Sequence, residues 1–160
     1  MLIKYSVDLY SCDLLFVHRD AERESHANRK QEIYAALGQM QASIVVPPII
    51  CVVPVRMQEA WLLFDESTLR AAAGNPHGSQ ILQLPRIADL ERLPDPKTIL
   101  HNLLREASGL SGRRRKQVPV SVYAHRLAEL VDDFSALRAL SAFRSLEADI
   151  NQLVTDNGWR

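Results

Sequence analysis

Residues 13–25 read DLLFVHRDAERES. An apolar run, Leu14-Leu15-Phe16-Val17, gives way at once to His18, Arg19, Asp20 and Glu22. Residues 13–17 have the pattern of a short central parallel strand covered on both faces. A polar, helix-permissive stretch follows from about Ala21 to Gln41, with Ile33, Ala36, Leu37 and Met40 at helical spacing. The next block, SIVVPPIICVVPV, is dense in β-branched residues. Pro47 and Pro48 cannot sit inside a central ladder, which places the pairing part at about Ile49 to Val53. Strand, helix and strand make a βαβ unit.

The remainder reads as helix. MQEAWLLFD is a short apolar helix or helix start, and AAAGNPHGSQ is a turn-rich connector. In LPDPKTILHNLLREASGL, Asp95 suits the cap, Pro96 the first helical position and Gly109 the stop. Ile99, Leu100, Leu103, Leu104 and Ala107 share one face of that helix. SGRRRKQVPV reads as a basic loop. A helix is expected from about Ser121 to Val131. A long one is expected from about Ser135 to Val154, with Leu137, Leu140, Phe143, Leu146, Ile150 and Leu153 inward. A weak third strand is expected within residues 2–8.

The chain has 160 residues, enough for one domain with a genuine core. Lys+Arg and Asp+Glu balance at 19 each, so any contact with nucleic acid must use a local patch. Cys12 and Cys51 lie far apart and read as buried thiols of a cytoplasmic protein. No apolar stretch has bilayer-spanning length, and the start lacks an export signal. GxGxxG, GxxxxGK[ST] and GxSxG are all absent, which disfavours dinucleotide binding, self-contained ATP hydrolysis and α/β-hydrolase chemistry.

Three constellations can carry chemistry. In parallel α/β sheets ligands bind beyond the carboxyl ends of the strands, where Asp20 and Glu22 stand. If residues 18–22 stay extended, His18, Asp20 and Glu22 share a face. Two adjacent carboxylates suit a hard cation such as Mg²⁺ or Mn²⁺. Alternatively Asp20 is a helix N-cap, with Glu22 and Glu24 in the first turn. The second constellation follows the second strand: Glu59 can complete a carboxylate cluster and Arg56 can clamp a phosphate. The alternative is ion pairing of Glu59 with Arg56 or Arg19. Trp61 to Phe64 read as core. The third is Arg113-Arg114-Arg115-Lys116, either a phosphate-binding run or a solvated loop.

The blocks LLFVHRDAE, VPVRMQEAWLLFDE, LPDPKTILHNLL, RRRK and DFSALRALSAFRSLEADI, in this order, resemble a bacterial family of Toprim-like proteins. The resemblance spans about Asp13 to Trp159. It implies an α/β fold with a small parallel sheet, Toprim- or Rossmann-like, and a helix-rich C-terminal half. The whole chain would form a single domain, with residues 1–66 as its βαβ core and 86–156 as its mainly helical part. It implies an Mg²⁺- or Mn²⁺-dependent nuclease. Asp20 and Glu22 would be metal ligands, with Glu59 as a third catalytic carboxylate. It also implies a partner ATPase of the SMC, AAA or overcoming-lysogenisation-defect type, in defence against phage or plasmids. Such proteins open with a further strand and a glutamate, which residues 1–12 do not supply. The expectation is therefore an N-terminally truncated form with weakened metal binding. The competing expectation is a non-catalytic interaction subunit of such an ATPase, with Asp20 only a cap.

Overall fold

Two four-residue strands, β1 (Leu15–His18) and β2 (Ile49–Val52), pair in parallel, with Leu15 opposite Ile49 and His18 opposite Val52. They form the sheet of a computed structural model that describes residues 9–10, 12–22, 24–41 and 46–159, with the backbone alone at 40 and 41. The fold is mixed α/β, with mostly helix outside that sheet. The third strand expected within residues 2–8 and the inward side chain of Met40 lie outside the described residues. The chain divides into two compact units, Met1–Val55 with Ser141–Arg160, and Arg56–Leu140.

In the first unit, helix α1 (His26–Gln41) joins the strands. Ile33 and Leu37 turn their side chains onto Val17, Cys51, Val53 and Ala21, which closes a small apolar core. Ala36, expected inward, is exposed. The ladder continues past the strands: Arg19 N–H donates to the Val52 carbonyl (3.0 Å) and Ala21 N–H to that of Pro54 (2.8 Å). Helix α6 (Ser141–Asp156) packs on β2, and the Lys30 ammonium pairs with the Asp149 carboxylate across α1 and α6. β1 corrects the expectation of a strand covered on both faces. Among the described residues it pairs with β2 alone, and Phe16 is left 53% exposed. Cys12 is exposed, against expectation, and Cys51 is buried.

The second unit is helical. Gln58–Leu62 is a 3-10 helix, followed by α2 (Glu66–Ala72), α3 (Pro96–Ala107), α4 (Gly112–Lys116) and α5 (Val120–Leu130). Further 3-10 helices span Ile87–Arg92 and Ser135–Ala139. The periodicity of α3 is realised: Leu100, Leu103, Leu104 and Ala107 are buried, against α2 and α5. Each such leucine contributes roughly 1.5–3 kcal/mol relative to exposure. Trp61, Leu63, Leu69, Leu90, Leu127 and Leu137 complete this core. The expected continuous helix from Ser135 is broken. Leu140 takes an extended backbone (φ −93°, ψ 137°) and buries its side chain, so α6 starts afresh at Ser141. Of the inward positions expected along it, Leu137 and Leu140 are buried, whereas Phe143, Leu146, Ile150 and Leu153 are half-buried.

Two aspartates cap helices. Asp95 accepts from the Thr98 N–H at 3.0 Å, with Pro96 in the first turn, as its sequence position predicts. Asp65 accepts from the Thr68 N–H (3.1 Å), from the Ser67 hydroxyl (2.7 Å) and from the Thr68 hydroxyl. Burial alone would push the Asp65 carboxyl up, but these donors outweigh it and hold it below the ordinary carboxylate range. A depressed carboxyl contributes stability that is present above its unfolded pKa, about 3.9, and lost as pH falls through the folded value. Asp65→Asn should therefore flatten the acid limb of the stability profile below about pH 4. Urea denaturation between pH 2 and 7 checks this, and parallel limbs in the two proteins would refute it.

Candidate functional site

The strand end that draws attention in the sequence is held by a small ionic network. Asp20 Oδ1 lies 3.2 Å from His18 Nε2. The Arg29 guanidinium, its side chain only 11% exposed, donates through Nη1 to Glu32 (2.8 Å) and through Nε to the Ala21 carbonyl (3.3 Å). Arg19 Nη2 stands 3.4 Å from the same Glu32 carboxylate. The hydrogen bond from Arg29 holds the Glu32 carboxyl below its usual range, with the charges of Arg19 and Arg29 acting the same way. The network fastens residues 19–21 to the first turns of α1.

Asp20 is not the cap of that helix. α1 begins at His26, and the Ser25 hydroxyl oxygen accepts the Asn28 N–H at 3.1 Å. Ser25 therefore takes the capping role that the sequence offers to Asp20, on a helix that starts later. The expected alternation through residue 22 also fails. Glu22 has φ +57°, a left-handed backbone, so the extended run ends before it. Its side chain is 73% exposed and approaches Arg29 Nη2 at 3.9 Å.

Glu59 and Arg56 belong to the second unit. Glu59 lies 3.9 Å from Lys97 Nζ, instead of pairing with Arg56 or Arg19. Arg56 is exposed. Trp61 is 8% exposed and serves the core, as its apolar neighbours indicate. Asp20 and Glu22 do not share a face as expected of a two-carboxylate magnesium or manganese site. Asp20 faces an imidazole, while Glu22 turns off the shared face toward a guanidinium. Among the described residues no group of three or more His, Cys, Asp or Glu side chains is arranged to hold a metal ion.

The basic run is a helix, not a loop. α4 follows Ser111, and Arg115 Nη2 bonds Glu106 Oε1 of α3 at 3.2 Å, which anchors it. Arg113, Arg114 and Lys116 are exposed, and among the described residues no carboxylate pairs with them. Comparison with family models, with curated proteins and with solved structures finds no match to this chain. The geometry of these cations therefore stands on its own.

Sequence reasoning missed several polar residues that organise the chain. Arg29 and Glu32 are spaced i,i+3, and Glu66 and Arg70 i,i+4, the spacings at which helical ion pairs form. That signal was there to be read. In the sequence Asn75 reads only as a turn residue. Its amide donates to the Ala107 carbonyl at the end of α3 (2.9 Å), a contact with no sequence signature.

Proposed function

We propose that the chain is an accessory subunit that grips a nucleic-acid backbone through α4 and works beside an ATPase partner. One observation carries the first part. Three adjacent cations, Arg113, Arg114 and Lys116, are exposed without an acidic partner among the described residues, on a helix that Arg115 ties to Glu106. Free cations held on an anchored scaffold suit a regularly spaced polyanion, and phosphate contacts need no base readout. The near-neutral composition agrees with a local patch. The Toprim-like resemblance supports nucleic acid as the polyanion and an ATPase as the companion.

Fluorescence anisotropy with a 20-base-pair duplex and a 20-nucleotide single strand tests this. Three phosphate contacts predict a log–log salt slope near −2.7 on duplex, or about a 40-fold loss of affinity between 50 and 200 mM salt. The triple variant Arg113→Glu, Arg114→Glu, Lys116→Glu should lose that binding and keep its fold. Unchanged binding by the variant would sink the proposal.

The resemblance also implies metal-dependent phosphodiester hydrolysis, for which Asp20 is the carboxylate to test. One observation favours this second reading. The Asp20 carboxylate and the His18 imidazole share the carboxyl end of a parallel strand, the edge at which such sheets bind ligands. It requires that Asp20→Asn abolish Mg²⁺- or Mn²⁺-stimulated nicking of plasmid DNA while the fold is kept. Absence of nicking by the parent chain, or equal nicking by both, removes it.

A further inference from the structure

In the second unit, the segment from Ile81 to Arg86 has neither turn nor bend. Its burial alternates as a strand's would: Ile81 exposed, Leu82 buried, Gln83 exposed, Leu84 half-buried. Yet among the described residues the backbone groups of Ile81, Leu82, Gln83 and Leu84 make no hydrogen bond to other backbone. A row of free peptide groups on a straight segment is a template for a further strand. The segment is also fixed. Arg70 donates to the Gln80 carbonyl at one end, and Leu82 is 5% exposed. At the other end Pro85 leads into the 3-10 helix Ile87–Arg92.

A groove of about 430 Å³ lies alongside. Ile81 and Gln83, two residues apart, line one wall, and Ile99, Asn102, Leu103 and Glu106, one stripe of α3, line the other. Ile81 is 84% exposed, the most open large apolar side chain among the described residues. The wall thus alternates apolar surface with side-chain amides that can bond peptide groups. The charges are asymmetric. Glu106 is the groove's only carboxylate, and Arg115 already balances it. Arg105 is not itself a lining residue; it stands at the rim, where its Nη1 donates to the lining Asn102 Oδ1 at 3.2 Å, and it has no carboxylate partner among the described residues.

We propose that this groove docks an extended, acidic peptide segment of a protein partner by strand addition along residues 81–84. Main-chain hydrogen bonds would supply affinity, Ile81 and Ile99 would take alternate apolar side chains, and Arg105 would pair with an intervening carboxylate. This rests on the accessory-subunit reading, since it locates the face that subunit offers to its protein companion.

The test is a nuclear magnetic resonance titration of the ¹⁵N-labelled full chain with acetyl-Glu-Val-Glu-Val-Glu-Val-amide. Expected are saturable shifts of the amide signals at residues 81–84, and no binding of the analogue with lysine in place of glutamate. Gln83→Pro removes an N–H that has no backbone partner, at an exposed position outside helix and strand, and it should weaken binding at least tenfold. Ile81→Asp, at a side chain 84% exposed, and Arg105→Glu should do the same. Three results overturn the proposal: no saturable shift at 81–84, shifts confined to residues 113–116, or unweakened binding by all three variants. Shifts at 81–84 on raising protein concentration alone would also overturn it, because the occupant would then be a second copy. Gln83→Pro should leave duplex binding unchanged, so the nucleic-acid reading stands or falls separately.

Discussion

Arg70→Ala should destabilise the second unit by about 2–4 kcal/mol. Arg70 is the one charged residue in the buried core of the described chain, 7% exposed. Its Nε (3.0 Å) and Nη2 (2.6 Å) donate to Glu66 Oε1, and Nη2 also donates to the Gln80 carbonyl. Alanine would strip the Gln80 carbonyl of its donor and leave a void. Nη1, by contrast, is buried with no partner among the described residues. An unmet donor on a desolvated cation is costly, so Arg70→Met, which refills the volume without charge, should lose much less, under about 1.5 kcal/mol. Each unit holds one tryptophan, Trp61 in the second and Trp159 in the first. Urea unfolding in a Trp159→Phe background therefore reads the second unit through Trp61. An alanine variant within 0.5 kcal/mol of the parent would refute the account.

Gly109→Ala should cost about 2–4 kcal/mol, from two sources that can be separated. Gly109 has φ +68°, where an L side chain is strained by roughly 1–2 kcal/mol. A Cβ there would also stand 2.8 Å from Asn75 Nδ2, the group docked on the Ala107 carbonyl. The same amide closes off Gly78, whose Cβ would meet it and lie 2.9 Å from Arg70 Nη1. The two glycines thus leave room for one asparagine. Gly112 supplies the control: its φ is +55°, and nothing lies within 4 Å of its missing Cβ. Gly112→Ala should show the backbone strain alone, roughly 1–2 kcal/mol. The excess at Gly109 should shrink in the Asn75→Ala background, a coupling that a double-mutant cycle measures. Equal losses at Gly109 and Gly112 would mean that Asn75 moves aside freely.

Periodicity and punctuation carried the helical reading where they were strongest. α3 has its cap, its first-turn proline, its apolar face and its terminal glycine all in agreement, and it was legible to within a residue or two. β2 was legible because Pro47 and Pro48 fence off the β-branched run. The failures have a common cause: local rules were asked to decide tertiary matters. Asp20 is as good a cap as Ser25 by residue type. The ladder bond from Ala21 to Pro54 keeps residues 19–21 beside the second strand and delays the helix to His26. The left-handed backbone of Glu22 left no mark in composition, since glutamate has no preference for it. Arg113 to Lys116 read as a loop from the glycine and the charge. The bond from Arg115 to Glu106, nine residues back on another helix, fixes it as a turn of helix instead. Of the candidate site, the cations were legible as a run, but their freedom from acidic partners was not.

The first unit is assembled from two stretches of chain separated by the whole of the second. Its ion pair between Lys30 and Asp149 spans 119 positions, and α6 covers β2 only after Arg56–Leu140 has been made. At roughly 5–20 residues per second, a ribosome needs about 4–17 s to deliver that interval. During it the continuous second unit can fold, while the β2 face that α6 later covers waits bare. Birth order thus gives the nascent chain a vulnerable period, in which a holding chaperone can reach an apolar strand face that α6 later covers.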